Sequence, residues 1–353
     1  MSPSILESAD RRLTVVLPDF YKEFLVQDPT LNTHYEVTRV EAEHWFQRKM
    51  SLPSTTIKKF HDGNFSYFAS VHLPHAPKDK LKLSCDWLNW AFAFDDAFDD
   101  GELTKDPQAA ERLIKNVLSI MVPGVTRSSE ELVVSTHDDI YLRLSAGSPP
   151  GVVKRYVRGM TSYCAGLREQ VKISTERRIP KLQELLNVRR NTIGVYPLFA
   201  IFEYAYDLNI PDIVFSHPSI QELETLGIEM AMLINDAMSY RKEEISSEFC
   251  NFVALYRITG LSAQEAFDKT ASLVDTRFAR WNEVVQTVPS WGSAVDIQVQ
   301  QYIQGIQNVA QATISHAFEG TRYFGLNAGK IRQSRVTDIL IQPPFPSQEH
   351  VVV

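Results

Sequence analysis

Little glycine, little cysteine and no excess of positive charge characterise this 353-residue chain before any motif does. Its 15 glycines rarely fall in turn-forming pairs, and polar and apolar residues show no sustained alternation, so sheet architectures are disfavoured. The apolar residues, 44% of the total, are therefore expected on helices. Three cysteines, Cys85, Cys164 and Cys250, lie far apart with neither disulfide nor zinc spacing, and read as buried free thiols in a reducing compartment. Lys and Arg number 36 against 43 Asp and Glu, a net charge of −7 that offers no basic footprint to nucleic acid or to an acidic membrane surface. No run reaches the roughly 18 apolar residues of a membrane span, and MSPSILESADRR holds no signal-peptide core. The expectation is a cytoplasmic protein without stable membrane insertion, with monomer and homodimer both open. In the absence of repeats, linkers or composition breaks, one helical domain is expected over 36–326. A proline-broken N-terminal strap (1–35) precedes it, and a mobile C-terminal tail (327–353) follows.

What is present is an unusual helix end. The stretch LKLSCDWLNWAFAFDDAFDDGE, 81–102, begins as a buried helix and closes on Asp95, Asp96, Asp99, Asp100 and Glu102. Leu88, Phe92, Asp95 and Asp99 follow at helical spacing, so the carboxylates continue the apolar stripe instead of occupying the solvent face. Helix dipole and mutual repulsion both oppose their ionisation there, and a hard divalent cation with oxygen ligands offsets this. A solvated acidic end is the alternative, which the stripe opposes. Asp138 and Asp139 lack a third acid one turn on and read as a solvated face; His72 and His75, flanked by prolines, read as a loop and not as a metal pair.

A second helix, opened by Pro218 and apolar through Leu223, Leu226, Met230 and Leu233, turns polar at Asn235. Asn235, Ser239 and Glu243, four apart, share one face as amide, hydroxyl and carboxylate oxygens suited to a hard cation. A merely polar helix end is the alternative. Lys242 and Arg241 stand beside them. Arg189 and Arg190 precede Gly194 and Pro197, the pattern of a broken helix, and Arg322 with Tyr323 closes the last helical segment. Arginine and tyrosine supply phosphate donors. Together these sets describe one pocket: three Mg²⁺ ions holding a diphosphate above an apolar, aromatic cavity.

Four ordered motifs carry a resemblance to class I terpene synthases. D95-D-A-F-D99 resembles the DDxxD motif and N235-D-A-M-S239-Y-R-K-E243 the NDxxSxxxE motif; R189-R-N-T-I-G194 is similar to the diphosphate-sensing segment, and Arg322-Tyr323 to the terminal RY pair. The wording around them, LPDF near the start and SHAFEGTRYFG near the end, looks most like fungal, basidiomycete-type sesquiterpene synthases. The resemblance implies an all-α bundle of antiparallel helices around a central cavity. It also implies an isoprenyl diphosphate substrate, farnesyl diphosphate first, ionised with Mg²⁺ (Mn²⁺ as a substitute) and converted to a sesquiterpene and diphosphate.

By the same resemblance Asp95 is the principal ligand of two metals, Asp96 or Asp99 assists, and Asn235, Ser239 and Glu243 hold the third. Arg190, Lys242, Arg322 and Tyr323 bind the diphosphate, Arg190 as the sensor four residues before Gly194. Phe92, one turn before Asp95, is expected to wall the cavity with Phe68, Tyr196, Phe199 and Gly194. His316 stands six before Arg322, where many relatives place Trp; if it holds a water, an acyclic linalool- or nerolidol-type alcohol from geranyl or farnesyl diphosphate becomes an alternative product. The Arg322 segment is expected to wait for its anion. Two further alternatives stand: a chain-elongating prenyltransferase, which would carry a second aspartate-rich motif, and a non-catalytic helical binding protein, which would have broken ligands.

Overall fold

Helix-start signals in the sequence mark where most elements begin. The computed structural model describes residues 11–99, 101–125, 129–246 and 249–343. A short strand β1 (Arg12–Val16) leads through turns to α1 (Tyr35–Met50), α2 (Ser54–Gly63), α3 (Phe65–His72) and α4 (Lys78–Asp99). Then come α5 (Pro107–Ser119), α6 (Leu132–Ala146), α7 (Pro150–Glu176), α8 (Leu182–Thr192), α9 (Val195–Ala205) and the single turn α10 (Asp212–Phe215). The chain continues with α11 (Pro218–Ser246), α12 (Phe252–Ile258), α13 (Ala263–Val284), α14 (Ser293–Ala317), α15 (Ala328–Ser334) and β2 (Val336–Leu340). Proline opens α7 at its first position, where its missing N–H costs nothing. Ser262 and Glu265 form the expected capping box of α13, with Ser262 N–H donating to Glu265 at 2.8 Å.

The all-α expectation holds. Helix α11 packs on α13 and α14, α7 on α8 and α9, and α4 on α1, α3 and α6. The stretches of α4 and α11 that lead into the acidic motifs are buried on nearly every side, Leu83–Ala91 in one and Leu226–Leu233 in the other. A helix apolar all round belongs at the centre of a bundle. Among their side chains Trp87 and Trp90 are wholly enclosed, each indole donating a hydrogen bond, to Tyr156 Oη at 3.0 Å and to the Val133 carbonyl at 2.8 Å. All three cysteines are buried and none forms a disulfide. Among the described residues no helix is long and apolar enough to cross a membrane.

Three expectations need correction. The segment beyond residue 327 is not a loose tail as far as residue 343: it forms α15 and β2, and β2 pairs antiparallel with β1, Arg12 opposite Leu340 and Val16 opposite Val336. The pairing satisfies backbone groups and buries Val15 and Ile339, and Gln264 clasps Val16 through two further bonds of 2.9 and 3.0 Å. Residues 344–353 lie outside the described ones. Asp138 is buried and Asp139, half-buried, pairs with Lys49 and Arg143, so these two residues are not a solvated face. His72 ends α3 fully enclosed, and only His75 lies in the turn.

Candidate active site

The broken helix and the two polar helix ends meet at one cavity. Its empty volume is about 890 Å³ including the mouth. Phe68 comes from α3, Trp87, Leu88, Ala91, Phe92 and Asp95 from α4, Tyr163 from α7, and Thr313 and His316 from α14. Asn235, Lys242 and Glu243 of α11 and Arg322 with Tyr323 close the polar rim. The floor is therefore apolar and aromatic while the charged groups gather at one end.

Helix α8 stops at Thr192 and α9 starts at Val195, with Gly194 at φ +70° between them. Glycine adopts this left-handed backbone without strain. The break turns Ile193, Gly194, Val195 and Leu198 toward the cavity. Tyr196 and Phe199, expected as wall residues, face the opposite side of α9 and line a separate polar pocket. Gly194, Phe92, Phe68 and His316 do line the cavity, Phe92 stacked on Phe65 at 3.9 Å.

At the α4 end, Asp95 accepts a hydrogen bond from Tyr163 Oη at 3.0 Å. Burial and then the neighbouring charge of Asp96 push its carboxyl up to about 6. Asp96 goes the other way: burial raises it, but Arg322, with Lys242 and Lys59, overrides this and holds it at about 2. Arg322 donates to Asp96 at 2.9 Å and Lys59 at 3.1 Å. The side chains of Asp99 and Glu102, and the whole of Asp100, lie outside the described residues.

At the α11 end, Asn235 Oδ1 accepts from Arg189 at 3.1 Å and its amide donates to Tyr323 Oη at 3.3 Å. Glu243 accepts from Asn251 at 2.8 Å, which leaves its other oxygen for a ligand. Ser239 Oγ is buried without any partner. A buried hydroxyl left unpaired is costly, and a ligand beside it would remove that cost. No three His, Cys, Asp or Glu side chains cluster among the described residues, because the donors here are mixed. All of them present oxygen, the preference of Mg²⁺, so these residues fit a hard cation.

The arginines exchange the places expected for them. Arg190 points away and forms a salt bridge with Glu229, a carboxylate shared with Arg277 at 2.6 Å. Arg189 lines the cavity, bonded to Asn235, to Thr192 Oγ1 at 3.2 Å and to the buried Asp236 at 2.9 and 2.5 Å. Burial raises Asp236 to about 6 against the pull of Arg189, and Phe252 N–H donates to it at 2.7 Å.

Arg322 is placed by the turn after α14. Gly320, at φ +106°, lets the chain pass so close to Asp62 that a Cβ would meet its carbonyl at 2.5 Å, and Thr321 N–H donates to that same carbonyl at 2.9 Å. The guanidinium then lies 4.9 Å from the Phe92 ring and 5.5 Å from that of Phe65. It was expected to wait for an anion; instead Asp96 occupies part of it, while its buried Nε has no partner. The sequence named Arg189 as half of the arginine pair without giving it a role, and did not single out Tyr163, Thr192, Trp87 and Thr313.

Residues 86–280 match the model of terpene synthase family 2, C-terminal metal binding. Over 94% of this chain and 91% of the relative, the sequence is 32% identical to silphinene synthase of Penicillium patulum. It is 29% identical to (+)-eremophilene synthase of Gibberella fujikuroi over 92% of each. The fold superposes on an ancestral reconstruction, SVS_A2, with TM-score 0.76 at 24% identity over 85% of this chain and 90% of that one. It matches germacradien-4-ol synthase of Streptomyces citricolor with TM-score 0.72 at 19% identity over 81% and 94%. The family match spans both polar helix ends that frame the cavity, and with full-length fungal relatives beside it the chain belongs to the terpene synthases, enzymes with a divalent-metal-binding domain and a prenyl diphosphate as substrate.

Proposed function

We propose that this enzyme ionises farnesyl diphosphate with Mg²⁺ and closes the resulting cation into a sesquiterpene. One observation supports the reading above others: Ser239, between the rim residues Asn235 and Glu243 on α11, has a buried hydroxyl without a partner, and Arg322 on the same polar rim has a buried Nε without one. The first suits a hard cation and the second a phosphate oxygen. Asp95, assisted by Asp96 or Asp99, would hold metal on one side, and Asn235, Ser239 and Glu243 on the other, three ions in all. When bound, these cations stabilise the negative charge of the departing diphosphate.

The chain's own residues do the rest. Arg189, Lys242, Arg322 and Tyr323 grip the diphosphate oxygens, with Arg189 in the role first expected of Arg190. They fix the C1–O bond with its allylic carbon over the cavity, and the bonding pair leaves with the diphosphate. Asp96 must then share or surrender Arg322, so the Asp96–Arg322 pair acts as a placeholder for the anion. Phe68, Trp87 and Phe92 present π-faces to the cation and exclude bulk water. We place the reaction in the cytoplasm. The two arms that distinguish this reading from its rivals are substrate and chain length. With geranyl, farnesyl and geranylgeranyl diphosphate and Mg²⁺, gas chromatography of the extract is expected to show C15 volatiles from farnesyl diphosphate, abolished by chelator. Elongated prenyl diphosphates, or no turnover of any of the three, would overturn it.

A further inference from the structure

Helix α14 contributes two side chains to the cavity wall, and both are polar: Thr313 and His316. Three residues apart on a helix, they are neighbours with Cβ atoms about 5–6 Å from each other. Each has already committed its proton. His316 Nε2 lies 2.8 Å from the Gly63 carbonyl, an atom that can only accept, so Nε2 carries the hydrogen and the tautomer is fixed. Thr313 Oγ1 donates to the Val309 carbonyl at 2.9 Å. Both residues line the cavity, and their committed protons leave each with an acceptor lone pair, on His316 Nδ1 and on Thr313 Oγ1.

His316 Nδ1 has no hydrogen-bond partner in the protein and is not sealed from the cavity, in contrast to His72, whose two ring nitrogens are both sealed and unpaired. Burial holds the imidazole neutral, with its pKa lowered to about 4. Two acceptors one helical turn apart on the cavity wall suit a small donor, and a water supplies two hydrogens at once. Such a water points both hydrogens at the wall and turns its own lone pairs toward the substrate.

We infer that Thr313 and His316 seat one water oriented as a nucleophile, and that the enzyme forms a terpene alcohol. The inference rests on the reading that an allylic diphosphate is ionised in this cavity. In the step itself a lone pair of the water oxygen forms the C–O bond to the carbocation. One O–H bond breaks, its electron pair stays on oxygen, and the proton passes to Nδ1. The imidazolium so formed is held by Gly63 and bordered by the rings of Phe65, Phe92, Phe68 and Tyr323, whose centroids lie 5.7, 5.8, 6.1 and 6.3 Å away. Aromatic rings stabilise a cation within about 6 Å of their centroids, the range in which Phe65 and Phe92 lie. The proton returns to solvent when the product leaves.

The test is turnover of farnesyl diphosphate with Mg²⁺ in ¹⁸O-labelled water, with volatiles read by gas chromatography and mass spectrometry. The wild-type enzyme is expected to give a C15 alcohol carrying the label. Thr313→Val and His316→Phe are each expected to lower the ratio of alcohol to hydrocarbon by about fivefold or more, the loss of one hydrogen bond to the water. Thr313→Ser restores the ratio. Thr313→Val leaves the Gly63 contact intact, so a purely structural role of His316 cannot produce the effect in both variants. Diphosphate release with no labelled alcohol overturns the water seat while ionisation stands, as does a ratio unmoved by Thr313→Val. Absence of diphosphate release from every prenyl substrate overturns both.

Discussion

Helix α9 separates two polar pockets, and the contrast between them shows what distinguishes a site from a scaffold. On one face Val195 and Leu198 look into the catalytic cavity; on the other, Tyr196, Phe199 and Glu203 border a pocket shared with α7, α11 and α14. Both hold buried acids. Behind α9 those acids have partners in the protein: Arg155 grips the fully enclosed Glu203 with bonds of 2.8 and 2.6 Å and also reaches Asp212 at 2.8 Å, and Tyr302 donates to Glu224 at 2.6 Å. In front of α9 the polar atoms are left incomplete. Ser239 Oγ and Arg322 Nε have no partner. Polar groups that are paired within the protein hold the bundle together, whereas those left unpaired await ligands.

Substitutions sharpen that contrast. In front of α9, Asp95→Asn is expected to reduce turnover of farnesyl diphosphate by about a thousandfold or more, since it removes a ligand that acts in the transition state. Circular dichroism should remain that of the wild type, and unfolding instead of inactivation would place Asp95 with the scaffold. Behind α9 the effect should fall on stability. Arg155→Ala strands the Glu203 carboxylate in the interior and is expected to cost about 3–5 kcal/mol in urea unfolding. The product profile should stay unchanged, and an altered profile would make the rear pocket part of the site.

The arginine pair gives the next largest difference. Arg189→Lys loses the fork that spans Asn235 and Asp236 and should lower kcat about 10- to 100-fold. Arg190→Lys should change kcat by less than about threefold. The reverse order would return the sensor role to Arg190. The smallest effect belongs to Glu224. Burial raises its carboxyl from 4.5 to about 7, so the native state holds the proton more tightly than the unfolded chain. The stabilisation this gives is complete below about pH 4.5 and is lost as pH rises through about 7. Glu224→Gln cannot ionise and should gain on the wild type across that window, by about 1–3 kcal/mol in denaturant titrations at pH 5 and pH 8. A pH-independent difference would mean that Glu224 is solvated.

The parts of the site that were legible in the sequence are those where one uninterrupted helix carries both pattern and function. Leu88, Phe92 and Asp95 share a face because nothing breaks α4 between them, and the same holds from Met232 to Glu243. Arg189 and Arg190 could not be told apart, because adjacent residues on a helix point about 100° from each other and only the packing of α8 on α11 decides which turns inward. Tyr196 and Phe199 fall on the far face for a related reason: Gly194 resets the helical phase, and only the packing of α9 decides which of its sides meets the cavity. The β1–β2 pair was invisible because five residues of weak alternation mean little until their partner, more than 300 positions away, is known. Thr313 gave no signal at all, since a threonine on an apolar helix face is ordinary until its hydroxyl proton is traced.

The central claim is that the α4 and α11 oxygens hold divalent cations which in turn hold a diphosphate, and thermal unfolding tests it without relying on turnover. Mg²⁺ with inorganic diphosphate should raise the melting temperature of the wild type by several degrees, roughly the effect of 1–3 kcal/mol of linked binding, while either alone does little. Ser239→Ala and Asp95→Asn should lose most of that rise. An equal rise in all three proteins, or none in the wild type, would contradict the account.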